Sequence, residues 1–325
     1  TIHDVAARAG VSKSLVSLAL QGSPKVGEAS REAILAAAAE LGYRPNAAAR
    51  SLAVQRSGTI GVLILDLHNP VFAEVLDGVQ QELKRREVTT MLVTGDTDPD
   101  LEQASIDALL EFPVEGLILI SHRLPSSVLE ELAREIPTVV ALRNDARAID
   151  AVSNDDIHGA GLAVDHLVQL GHRRIACLTG GDNPIARDRE AGYREAMVRH
   201  GLADEITVIP GGLTDVAGYR AARAALAHRP TAICAANDLA AIGAIGALQE
   251  SGLRVPRDIS VIGYDGIAIS ALRSVDLTTV AQPLRAIGER AAQRLFTRID
   301  DPHLPVTHDR ITATLATRGT TAPAP

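Results

Sequence analysis

The chain is 325 residues long, room for about two domains at roughly 150 residues each. Hydrophobic residues make up 46% and charged residues 22%, an ordinary globular balance, and aromatics at 2% with no Trp leave the core to Val, Ile, Leu and Ala. A formal charge of −8, taken whole, counts against a nucleic acid or an anionic membrane as partner.

The charge is unevenly spread. Residues 1–56 hold seven basic side chains (Arg8, Lys13, Lys25, Arg31, Arg44, Arg50, Arg56) and four acidic ones (Asp4, Glu28, Glu32, Glu40), a net +3 that leaves −11 to the rest. A small basic end on an acidic body hints at a nucleic-acid-binding module attached to something else. Cys177 and Cys234 lie in the apolar runs RRIACLTG and TAICAAN and read as buried strand thiols. There is no CxxC, no Cys/His cluster and no HExxH spacing, so neither a metal nor another cofactor is expected. Apolar runs such as IGVLIL are too short to span a bilayer. The opening TIHDVAARAG has neither the charged nor the apolar region of an export signal, so a cytoplasmic protein with reduced thiols is the expectation.

Residues 1–44 read as three short helices. Thr1 and Asp4 have capping-box spacing, with Asp in place of the usual Glu, and Gly10 stops the first helix. Ser12 caps the second, whose apolar face is Leu15, Val16, Ala19 and Leu20. Gly27 precedes a third helix from about Glu28 to Leu41, and Gly42 ends it. Residues 45–57 have good helix formers but only Leu52 and Val54 as large apolar groups, so they read as a linker that is helical only when docked.

From residue 58 a different rhythm begins. The runs TIGVLIL, TTMLVTG, VEGLILI, TVVAL, RRIACLTG, ITVIP, TAICAAN, DISVIGYD and LTTVAQ are continuous rather than alternating, as in strands buried on both faces of a parallel sheet. Helical stretches separate them at 72–86, 101–111, 160–170, 189–200, 217–227, 239–250 and 285–299. This is the pattern of a doubly wound α/β fold, in which ligands bind at the carboxyl ends of the strands.

The stretch from Ile2 to Gln21 has the spacing of a helix-turn-helix, with Ala6 at the helix crossing, Gly10 in the turn and Val16 packing back. Ser12 then opens a recognition helix with Lys13, Ser14, Ser17 and Leu18 turned outward, able to enter a major groove about 12 Å wide. ARAGVSKSLVSLALQGSPKV followed by LGYRPNAAARSLA closely resembles the head and hinge of the lactose/galactose-repressor (LacI/GalR) family of bacterial transcription regulators. NPVFAEVLDGV, HLVQLGHRRIACLTG, RDREAGYREAM, AANDLAAIGAIGALQESGLRVPRDISVIGYDG and LTTVAQP continue the resemblance through nearly the whole chain.

The resemblance implies a helix-turn-helix head at 1–44, a hinge at 45–57 and a periplasmic-binding-protein-like body at 58–325 made of two doubly wound α/β subdomains. The chain would cross between subdomains near Asn154, Gln282 and Asp309, giving about 58–154 plus 282–308 and about 155–281 plus 309–321. Lys13, Ser14 and Leu18 would read bases, and Ser12 and Ser17 would position on phosphate. Asn46 and Arg50 lie on the hinge, and Leu52 sits where the family wedges a Leu pair into the minor groove. The family commonly has Arg at the position of Leu18 and Thr at that of Leu15; Leu18 offers no guanine contact, so the half-site should differ there.

In the body, Arg189 of RDREAG matches the effector-binding Arg, and Asp265 of VIGYDG matches a ligand-contacting Asp. Asn237, after ICAA, and Phe72, in NPVF, are carried over in the same way, and Asp66, Asn69, Ser121 and Gln282 fall just after strands and complete a polar lining. Plainer readings stand beside these: Asp265 and Asn237 could cap the helices that follow, Phe72 could belong to the core, and Asp155 and Asp156 read as turn and cap residues. A sugar is the effector the family favours, with a nucleobase, amino acid or small acid left open. Partners would be operator DNA as a pseudo-palindrome, a small-molecule effector and a second copy of the chain; the tail TTAPAP has no Leu heptads, which favours a dimer. Two other functions compete. An exported solute-binding protein would match the body but not residues 1–56, and an enzyme finds no Walker A, GxGxxG or GxSxG motif.

Overall fold

The computed structural model describes residues 1–20, 23–43, 57–143 and 147–325. It divides into two compact units, one up to Gly58 and one from Thr59 to Pro325.

The first unit is three helices: α1 (Ile2–Ala9), α2 (Lys13–Leu20) and α3 (Glu28–Glu40). The expected capping box forms at Thr1 and Asp4, and Gly10 closes α1 in the left-handed region at φ 66°. Ser12 Oγ accepts from the Leu15 amide at 3.2 Å, capping α2. Val5, Ala6, Val16, Ala19, Val26 and Ile34 form a core of few large groups, so polar contacts matter to this unit. Arg31 supplies them: its guanidinium donates to the carbonyls of Ala19 (3.3 Å), Ser23 (2.6 Å) and Val26 (3.3 Å), tying α3 to the chain leaving α2. Arg31→Ala should therefore destabilise this unit by about 2 kcal/mol, seen as faster hydrogen exchange of the amides of α1–α3. Unchanged exchange would show that the three bonds contribute nothing.

The second unit contains two six-stranded sheets. The first joins β1 (Thr59–Ile64), β2 (Thr89–Thr94), β3 (Leu117–Ile120), β4 (Thr138–Ala141), β5 (Asp150–Asn154) and β11 (His308–Ile311) in the order β2-β1-β3-β4-β5-β11, all parallel. Alternation decides the faces. Ile118 and Ile120 pack under α4 (Pro70–Arg85) and α11 (Leu284–Asp300), whereas Leu117 and Leu119 pack under α5 (Pro99–Leu110) and α6 (Ser126–Glu135).

The second sheet joins β6 (Ile175–Leu178), β7 (Thr207–Ile209), β8 (Ala232–Ala235), β9 (Ser260–Asp265), β10 (Thr279–Ala281) and β12 (Thr314–Ala316) in the order β7-β6-β8-β9-β10-β12, with β12 antiparallel to β10. α7 (Asp156–Gln169) and α8 (Pro184–Arg199) contribute to the core on one face, α9 (Asp215–Ala225) and α10 (Asp238–Glu250) to that on the other. Both sheets share the 2-1-3-4-5 order of doubly wound folds, extended by one strand that returns from the far end of the chain.

The chain passes between sheets after Asn154 and again at Gln282–Pro283. The third passage corrects the expectation at Asp309. β11 still pairs with β5, so the crossing falls at 312–313. Asp309 is held in the first half by Arg294 (2.9 Å) and Arg290 (3.3 Å) of α11.

Small residues set the spacing of the helix layers. A Cβ on Gly78 of α4 would lie 2.0 Å from the Arg285 carbonyl oxygen of α11, and one on Gly288 would lie 2.0 Å from that of Val75. In the α9–α10 pair, a Cβ on Gly218 would meet the Ala240 oxygen at 2.1 Å and one on Gly243 the Asp215 oxygen at 1.9 Å. Backbone-to-backbone packing of this kind explains how a chain with 26 Gly and only 2% aromatics closes its layers without large side chains. Among the described residues no helix is long and apolar enough to cross a membrane.

Candidate functional site

Two groups of residues stand out, one in each unit. On the head, Ser12, Lys13 and Ser14 are exposed at the start of α2, and Ser17 is half-buried. Leu18 departs from the expected outward position: it is half-buried and packs with Leu15 against the head core. A core this short of large apolar groups draws in a leucine that sits one turn from Leu15. Asn46, Arg50 and Leu52 lie outside the described residues.

In the body, the carboxyl ends of strands from both sheets border a crevice. Asn69, Phe72, Arg189, Asn237, Asp265 and Gln282 line it, so six of the eight expected effector residues come together. The other two do not. Asp66 is turned to its own loop, where Oδ1 accepts from the His68 amide at 2.8 Å. Ser121 is buried, at φ 59°, with its amide on the Ala141 carbonyl at 2.9 Å.

Arg189 is the centre of the crevice. From α8 its Nε donates to Asp156 Oδ1 at 2.8 Å and its Nη1 to the Ala236 carbonyl at 2.7 Å, with Asp265 Oδ1 3.2 Å from Nη1. Its guanidinium carbon lies 3.8 Å above the centre of the Tyr264 ring. Burial works to discharge it, but Asp156 and Asp265 outweigh burial and hold it charged more firmly than an ordinary arginine. Asp265 sits at the end of β9 with φ 114°, a strained conformation that turns its carboxylate to this cluster. Gln282, at the second passage, donates Nε2 to Asp265 Oδ1 at 2.7 Å.

The carboxyl of Asp265 is pushed up to about 7, first by burial and then by the nearby charge of Asp238, against the pull of Arg189. Asp238 is raised in the same direction by its own burial, although Thr279 Oγ1 (2.5 Å) and the Ile267 amide (2.9 Å) donate to it. A folded pKa above the unfolded one means the native state holds more protons than the unfolded chain across that window. Stability from this pair is therefore present at low pH and is lost as pH rises from about 4 towards about 7. Asp265→Asn should flatten that slope in urea denaturation between pH 5 and pH 7, in steps of about one unit; an unchanged slope would assign it to other groups.

Asn237 resolves its two readings in favour of capping. Its Oδ1 accepts from the Ala240 amide (2.9 Å) and its Nδ2 donates to the Leu213 carbonyl (3.0 Å), so it shapes the wall more than it offers free polar atoms. Asn69 likewise caps α4, accepting from the Val71 amide at 3.1 Å. Phe72 does both jobs: it belongs to the first core and one side lines the crevice. Asp155 caps α7 through the His158 amide at 3.0 Å, as expected, but Asp156 is a buried partner of Arg189. Sequence reasoning missed Asp156, Tyr264 and Asn154. The doubled Asp after a strand was the available signal, since one cap residue leaves the second carboxylate unassigned.

Residues 1–46 match the model of bacterial regulatory proteins of the lacI family, and residues 164–321 that of a periplasmic binding protein-like domain. The transcriptional repressor PurR of Klebsiella pneumoniae is 37% identical over 310 residues, covering 92% of this chain and 90% of that one. The ribose operon repressor of Escherichia coli is 36% identical over 330 residues, 98% of this chain and 99% of that one. Among solved structures, a lac repressor dimer bound to operator and an anti-inducer superposes with a TM-score of 0.89 at 30% identity, over 99% of each chain.

Proposed function

Because the chain belongs to the LacI family of ligand-responsive DNA-binding regulators, we propose that it is a repressor that binds a pseudo-palindromic operator as a dimer and answers to a small sugar held at Arg189. One observation supports the ligand reading above the rest. Arg189, Asp265 and Gln282 are locked together at the mouth of two sheets, in a crevice walled on another side by Phe72. A guanidinium and a carboxylate with spare donor and acceptor capacity suit hydroxyls, and an aromatic face suits a sugar ring. Relatives support each part: one is a ribose operon repressor, and one has been seen as a dimer on operator DNA.

In the same reading Ser12, Lys13, Ser14 and Ser17 meet the DNA from α2, and Asn46, Arg50 and Leu52 meet it from the hinge. Leu18, drawn into the head core, leaves no arginine to pair with guanine, so the base it faces should not be selected as guanine. Ligand closure of the cleft shifts the population between DNA-competent and incompetent forms. The protein works in the cytoplasm and performs no turnover. A thermal-shift screen of the intact chain against neutral sugars tests the effector: the bound sugar raises the melting temperature with the logarithm of its concentration over its Kd. Removing residues 1–56 should abolish duplex binding and leave that shift in place. A truncated chain that still binds duplex would overturn the assignment of the head.

A further inference from the structure

Cys177 of β6 and Cys234 of β8 are 57 residues apart in the chain, and the second sheet sets them side by side as register partners on parallel strands. Both belong to the core under α7 and α8, whereas Ala176 and Ile233 beside them belong to the core on the other face. The two thiols therefore leave the sheet on the same side. They line a cavity of about 30 Å³, room for a single ion and too small for an organic ligand. Its helical walls are small residues, Ala160 and Ala163 of α7 and Ala186 of α8. Arg189 lines this cavity as well as the crevice, so the crevice leads towards the thiols, which are 7% and 8% exposed.

Spacing decides what two such thiols can share. Neighbouring strands lie about 4.8 Å apart, and Cβ atoms of register partners on one face stay near that separation. A disulfide needs its Cβ atoms about 3.8 Å apart, so the strands would have to close on each other. Two metal–sulfur bonds of about 2.3 Å laid end to end span about 4.6 Å, which the strand spacing accepts as it stands. Among the described residues no group of three or more His, Cys, Asp or Glu is placed to hold a metal, so an ion here has two protein ligands. Zn(II) requires four, whereas thiolates select Cu(I), which is stable between two of them. We propose that Cys177 and Cys234 form a two-coordinate site for one Cu(I) ion, bridged between β6 and β8. On binding, each thiol releases its proton to solvent and two S–Cu bonds form, with no change of oxidation state. The complex carries one negative charge, and Arg189, held charged on the wall of the same cavity, lies beside it. The site stands apart from the effector reading of the crevice and does not depend on it.

The test is anaerobic titration of the reduced, intact chain with Cu(I) against a coloured chelator, in the wild type, Cys177→Ala and Cys234→Ala, together with X-ray absorption of the loaded wild type. The expected result is one Cu(I) per chain in a shell of two sulfurs. Each alanine should weaken binding by more than about 100-fold, the upper end of what losing an outer-shell partner costs a metal site. The absorption spectrum of the wild type reads the site directly, so the proposal stays open to refutation even where a variant folds poorly. No Cu(I) retained against the chelator, a shell with a single sulfur, or a one-cysteine variant that binds as tightly as the wild type would overturn it. So would a disulfide formed readily by the metal-free chain in dilute hydroperoxide, because the strands would then hold the Cβ atoms closer than the bridge requires.

Discussion

Replacing Arg189 by methionine should lower the stability of the body by about 3–5 kcal/mol and abolish its response to a cleft ligand. The guanidinium is 11% exposed and its partners Asp156 and Asp265 are 7% and 5% exposed. Methionine fills much of the space over Tyr264 but leaves two buried carboxylates without their cation. The loss is therefore that of breaking a buried ion pair, larger than the worth of the pair itself. The defect should shrink as pH falls. Asp265 already titrates near neutrality because of burial, and without Arg189 it holds its proton still more firmly, so acid neutralises the orphaned charge in the folded state. Urea denaturation of wild type and variant at pH 5 and pH 7.5, in parallel, measures both effects. Equal stability at the higher pH would mean that water screens the cluster and that Arg189 is not its keystone.

A second large effect should come from a methyl group. Gly243→Ala places a Cβ 1.9 Å from the Asp215 carbonyl oxygen of α9, so the two helices must part along their closest contact. Overpacking of a rigid backbone contact costs about 3 kcal/mol, against which the better helix propensity of alanine offsets only about 1 kcal/mol. Gly246, three residues on in the same helix, is the matched control. Its Cβ would meet nothing within 4 Å, and Gly246→Ala should stabilise by about 0.5–1 kcal/mol. Opposite signs for two identical substitutions one turn apart would locate the close approach of α9 and α10. The same sign for both would remove it.

Elements whose identity rests on local pattern were legible in the sequence. The nine apolar runs all became strands: the central ones are covered on both faces and need continuous apolar residues, while the edge strands β2 and β7 keep the run although partly exposed. β5, β11 and β12 escaped. β5 carries Asp150, Ser153 and Asn154, and β11 carries Asp309 and Arg310, so neither has an apolar run to announce it. Their places come from long-range contacts: Arg298 of α11 pairs with Asp150 at 2.8 Å, and Arg294 with Asp309. The helix starts also lay earlier than periodicity put them. α4, α5 and α8 begin at Pro70, Pro99 and Pro184, each behind an Asn or Asp cap that was present to be read.

The candidate site divides the same way. Arg189, Asp265 and Phe72 were reached through motif resemblance and Gln282 through its place just after a strand, and the structure brings all four to one crevice. Asp156 was not reached, because its partner is 33 residues away and local reading sees only the cap next to it. Asp66 and Ser121 follow strands as the others do, yet one is spent on its own loop and the other is buried. The end of a strand thus names a neighbourhood, and only packing chooses which of its residues face the ligand.

The most direct test of the account is duplex binding under ligand control. The intact chain would be used to select duplexes from a randomised pool, and its affinity for the winner measured with and without the sugar found by thermal shift, in wild type and in Arg189→Met at low pH, where the variant is most stable. The account predicts a two-fold-related pair of half-sites, and a change in affinity of at least about fivefold on adding sugar to the wild type and none in the variant. No enriched duplex, or an affinity indifferent to every cleft ligand, would contradict it.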